Sequence, residues 1–186
     1  EYQEDADLLR AVTEAQEEAL IAAGASQNPP PPIAHWEEIA NRWRGAIGQL
    51  EEIPVGSPIH AEFVAPKLEE YRSNLTAIEN RIAAEQSAED NLNQAGLTAS
   101  LAKDQAEIAN TLPAWQTALE TWETAVTQIQ QIPQGTMPHG EAQKLLPEFE
   151  TELAKVRTRY QQEQAADQFY NAAVRYAAAA RQYAAD

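Results

Sequence analysis

Apolar side chains recur along this chain at alternating spacings of four and three residues. Trp36, Ala40, Trp43, Ile47 and Leu50 form one such run, and Trp115, Leu119, Trp122, Val126 and Ile129 repeat it. This spacing puts one side chain per turn on a single helical face, the a/d seam of coiled-coil packing. It predicts two helices of about 19 residues each, ended by Pro54 and Pro133, with Gly56 and Gly135 permitting a reversal. Ser57 and Pro58 then read as an N-cap and a first helical residue, and Thr136 stands in Ser57's place in the second copy.

A longer seam follows each reversal. Val64, Leu68, Tyr71, Leu75, Ile78 and Ile82 lead through Glu85 and Glu89 to Leu92, Ala99, Ala102, Ala106 and Ala109. The counterpart runs Ala142, Leu146, Phe149, Leu153, Val156, Tyr160, Glu163, Asp167, Tyr170, Val174, Ala177. Between His60 and Asn110 the pattern carries on past Pro66 near its start and Gly96, so a helix of about 50 residues is expected. Pro147, well inside the second long helix, predicts a kink. Leu8, Val12, Ala15, Ala19 and Ala22 mark a further helix that ends at Gly24, and Pro29–Pro32 read as a stiff connector.

These runs are two copies of one unit. At an offset of 79, Trp36 pairs with Trp115, Trp43 with Trp122, Ile53-Pro54 with Ile132-Pro133, Gly56 with Gly135 and His60 with His139. After one extra residue near Phe63 the offset becomes 78, pairing Tyr71 with Phe149, Leu75 with Leu153, Arg81 with Arg159 and Glu85 with Glu163. The expected fold is all-α: two tandem antiparallel helical-hairpin or three-helix units sharing a long continuous helix. The first bundle is placed at residues 1–84, with helices at about 1–24, 34–53 and 59–84. The second is placed at 85–162, with helices at about 85–110, 114–132 and 137–162, and residues 163–186 form a terminal helix continuing the array. The architecture resembles spectrin repeats, which also share a helix and carry tryptophan in the first one, though this unit is much shorter. Leu8, Ala11 and Ala15 align with Leu92, Ala95 and Ala99, so the chain reads as an excerpt of a longer elongated protein.

Composition narrows the function. Ala, Glu, Gln and Leu supply 91 of 186 residues, the signature of long helices. The formal charge of −16 argues against nucleic-acid or anionic-membrane surfaces, which need clustered Lys and Arg. With no cysteine, thiol chemistry and thiolate metal sites are excluded. No apolar run reaches the roughly 18 residues of a membrane span, so no direct insertion is expected.

Candidate chemistry is sparse. The four tryptophans fit burial in the seams better than a ligand-stacking role. His60 and His139 each precede a glutamate by two residues, a spacing that points the pair to different sides of a helix and makes a poor metal site. His35 reads as a residue at a helix start. Arg81/Glu85 and Arg159/Glu163 are i, i+4 pairs, read as a charged joint where the seam changes partner. No Glu-x-x-His pair, phosphate loop or catalytic triad pattern occurs, so no catalytic residue, cofactor or metal is assigned. The stripe that has no evident cover is the last half-helix, where Phe169, Tyr170, Val174, Tyr176, Ala177 and Tyr183 are the candidate interaction residues.

The pattern W-x6-W-x2-A-[IV]-x5-I-P-x-G-[ST], spanning residues 34 to about 164 with the helix that follows, resembles tandem helical repeats of cyanobacterial, often membrane-tethered proteins. In size and helix content the chain is also similar to the coiled-coil region of septal cell–cell junction proteins. The resemblance implies an extracytoplasmic domain rather than a cytoplasmic one, and carries over no catalytic residue. The expected function is a non-enzymatic protein–protein interaction module, self-associating through its C-terminal helix in junction or envelope assembly. The competing expectations are an extracytoplasmic assembly factor or chaperone holding client helices in an apolar groove, and a metal- or ligand-binding bundle.

Overall fold

The computed structural model describes residues 2–27 and 32–184. Five α-helices account for most of them: α1 Tyr2–Ala25, α2 Ile33–Glu51, α3 Ala65–Ile108, α4 Leu112–Gln130 and α5 His139–Tyr183. A π-helical turn, His60–Val64, leads into α3, and no strand occurs among the described residues. The all-α fold is as the seams predict. Of the expected proline connector, Pro29–Pro31 lie outside the described residues, and Pro32 holds the N-cap position of α2.

The chain forms two compact units, one of residues Glu1–Ser87 with Gly135–Met137, the other of Ala88–Gln134 with Pro138–Asp186. In the first, Val12, Ala15, Ala19 and Ala22 of α1 meet Trp36, Ala40, Trp43, Ile47 and Leu50 of α2 and Leu68, Tyr71 and Ile78 of α3 in one buried cluster. Ile39 and Ala46 are buried too, so the face of α2 is wider than a bare a/d seam. Arg44 pairs with Glu79 at 2.8 Å and Glu51 with Arg72 at 2.6 Å. Moving forward along α2 thus means moving back along α3, and the two are antiparallel. In the second unit, Ala88, Ala95, Ala99 and Ala102 of α3 meet Trp122, Val126 and Ile129 of α4 and Phe149, Leu153 and Val156 of α5. Trp122 meets Phe149 edge-on, with ring centroids 5.7 Å apart. Thr111 caps α4 by accepting the Ala114 N–H at 3.3 Å, with proline in the first turn.

The extra residue of the first copy has a structural outlet. A π turn takes up one residue more than an α turn, and it lies at His60–Val64, where the repeat offset changes. From its last residue on, Val64, Leu68 and Tyr71 pack into the core in the register of Ala142, Leu146 and Phe149. Ser57 caps this helix start, its hydroxyl accepting from His60 N–H at 3.2 Å. Deleting Phe63, which is exposed, should convert the π turn to an α turn and change stability by no more than about 1 kcal/mol. Deleting Ala77, mid-helix, should shift the whole seam and unfold the first unit. Urea titrations of the two variants check this.

Two expectations are corrected. Glu89 is exposed, and the buried series in α3 runs Ile78, Glu85, Ala88, Ala95, Ala99, Ala102. The heptad phase drops one residue between Glu85 and Ala88, a local three-residue step at the point where the first unit ends and the second begins. Thr136 does not begin α5: Pro138 holds the N-cap position and Thr136 is buried within the first unit. The glycine before it, Gly135, has φ +83°, which turns the chain away before the helix starts. Helical structure in α5 runs through Pro147, which is exposed, so the carbonyl that loses its N–H partner can bond to water.

Tyr71 lies against Trp43, ring centroids 5.2 Å apart, and is buried. Burial, aided by the charge of Glu70, raises its phenol above the ordinary value of 10.0. Because the folded value is the higher one, the contribution is intact below the ordinary phenol range and is lost as pH rises through the raised value. Alkaline titration followed by phenolate absorbance and circular dichroism should show Tyr71 ionising together with loss of helix signal. In Tyr71→Phe that loss should move to higher pH.

Candidate interaction site

The C-terminal half of α5 carries a run of exposed apolar side chains. Phe169, Tyr170, Val174, Tyr176 and Tyr183 are all open to solvent, Tyr170 at 69% and Tyr176 at 78%. Ala177 is exposed as well. The repeat gives these residues a reference. At the offset of 78, Tyr170, Ala173, Tyr176, Ala177 and Ala180 correspond to Leu92, Ala95, Thr98, Ala99 and Ala102. In α3 that set faces the core of the second unit, with Leu92 partly buried and the others buried. Val174 corresponds to Gly96, which is exposed, so the centre of the stripe passes through Ala173 and Val174 flanks it.

A polar cluster marks the far end of each long seam. In the first unit the Arg81 guanidinium lies over the Trp36 ring, 5.3 Å from its centroid. It donates to the Glu85 carboxylate and to the Gly135 carbonyl. Glu85 is buried, and its other oxygen accepts the Met137 N–H at 2.8 Å. The buried carboxylate is therefore held by a cation and a backbone donor, the condition under which a charge can sit inside a protein. The i, i+4 pair was legible in the sequence, but the closure by Gly135–Met137 was not.

The equivalent residues of the second unit keep half of this arrangement. Arg159 lies over Trp115 at 5.6 Å and pairs with Glu163 at 2.5 Å. Here the glutamate side chain is 28% exposed against 1% for Glu85, and the arginine 52% against 28%. A cleft of about 380 Å³ between α3, α4 and α5 is lined by Arg159 of this pair with Ala106, Trp115, Trp122, Val156 and Lys155.

The histidines stand apart from both features. The His139 ring lies 3.1 Å from the Ile132 carbonyl at the end of α4, and the His35 N–H bonds Pro32 at the start of α2. Among the described residues no group of three His, Asp or Glu side chains is placed to hold a metal ion. No helix there is long and apolar enough to cross a membrane. No protein-family model, curated protein or solved structure matches the chain significantly.

Proposed function

We propose that the chain is a non-enzymatic helical-repeat packing module, which holds protein partners together by lending the C-terminal half of α5 to another helical unit. The observation that carries this is the repeat register of α5. The same stripe that α3 buries against α4 and α5 recurs in α5 as Tyr170, Ala173, Ala177 and Ala180 in the open. An apolar stripe on a helix gains stability when another unit covers it. Self-association through this face is the form the activity takes here, and scaffolding in a cell–cell junction or envelope assembly is the context that the resemblance to cyanobacterial repeats suggests. Sedimentation of the chain beside variants with glutamate in the stripe tests the reading. A second reading, the binding of client helices, draws on the apolar cleft beside Trp115 and Trp122. It predicts a monomer whose tryptophan fluorescence responds to an amphipathic peptide and whose response is lost on Val156→Lys.

A further inference from the structure

The two Trp–Arg–Glu clusters share one arrangement and differ in what lies against it. In the first, a turn fills it: Gly135 offers its carbonyl to Arg81, and Met137 offers its N–H to Glu85. Gly135 can aim that carbonyl because it adopts φ +83°, a conformation open mainly to glycine. In the second, Arg159 and Glu163 present the same donor and acceptor beside Trp115, and both are far more open to solvent than their counterparts.

We propose that Trp115, Arg159 and Glu163 form a docking site for a helix-linking turn carried by another helical-repeat unit, with a left-handed glycine and, two residues later, any residue but proline. The proposal rests on the reading of this chain as a packing module, though not on the apolar face of α5. The required chemistry is set by the filled site: a glycine in the left-handed region for the arginine, and one residue later but one, a backbone N–H for the glutamate. The chain's own first turn does not meet it. Pro58 stands where Met137 stands and has no N–H, and Gly56 is not in the left-handed region, Gly135 being the one such glycine among the described residues. The Gly135–Met137 turn of a second copy is already engaged with its own Arg81 and Glu85. The occupant is therefore a turn from a different repeat unit, not a homotypic contact.

The test is a titration of the isotope-labelled full chain with a synthetic peptide of residues 131–140, read by NMR. The Trp115 indole and Arg159 guanidinium signals should move saturably while those of Trp36 and Arg81 stay in place. A peptide with Met137→Pro, or the chain variant Glu163→Gln, should bind about tenfold more weakly, because each removes one charge-assisted bond. No movement at Trp115 and Arg159, or equal affinity for the altered peptide and in Glu163→Gln, overturns the proposal. Sedimentation of the same chain keeps the two ideas separable. A chain that self-associates yet ignores the peptide refutes the docking site alone, and a monomer that binds the peptide refutes pairing through α5 alone.

Discussion

Arg81→Ala will destabilise the first unit by about 3 kcal/mol, whereas Arg159→Ala, at the matching position of the second unit, will change stability by about 1 kcal/mol or less. The same residue type, paired with the same glutamate over the same tryptophan, serves in both places. What differs is burial. Removing Arg81 leaves the Glu85 carboxylate inside the protein beside the Met137 N–H but without its cation, and strips the cover from Trp36. An uncompensated buried charge is the costly case, and an exposed ion pair loses little because water replaces it. Urea unfolding of both variants, followed by tryptophan fluorescence and helix content, measures the difference. Equal losses in the two variants would show that burial of Glu85 contributes nothing.

That contrast also marks how far the sequence could be read. The seams were legible because aromatic and β-branched residues stand at heptad spacing: Trp36, Trp43 and Ile47, then Trp122, Val126 and Ile129, are all buried. The one-residue insertion near Phe63 was visible as a change of repeat offset, and its form, a π turn, follows from where a helix can absorb an added residue. Less could be read where the chain turns to alanine. Around Glu85 the seam is marked by alanine rather than by large apolar residues, so Ala88 and Ala95 carried little weight against Glu89, although Ala102 and Ala109 already stand in their phase. This is why Val174 rather than Ala173 stood at the centre of the expected α5 stripe. Glu85 read as a charged joint for a different reason. Its burial depends on backbone groups about fifty residues further along, at Gly135 and Met137, and a local pattern carries no record of such a contact.

Tyr170→Glu combined with Ala177→Glu will weaken self-association at least a hundredfold while leaving helix content unchanged. Both positions correspond to core-facing residues of α3, Leu92 and Ala99, so a glutamate at either would have to be desolvated for a second unit to pack there. Two such charges on one stripe exceed the ~2.7 kcal/mol that a hundredfold change represents. Helix content is preserved because glutamate is a good helix former and both side chains are exposed in the single chain. Val174→Glu supplies the control. Its counterpart Gly96 faces solvent, so the flanking substitution should weaken association by no more than about tenfold. A larger effect at 174 than at 177 would mean that α5 packs on a different face from α3.

The measurement closest to the central claim is sedimentation equilibrium of the full chain over a wide range of concentrations, beside the Tyr170→Glu, Ala177→Glu variant. A packing module predicts an average mass that climbs above the 20.5 kDa of one chain as concentration rises, and a variant that stays at the single-chain mass throughout. A wild-type chain that remains at 20.5 kDa at every concentration would contradict self-association through α5 and leave the cleft beside Trp115 as the site to pursue.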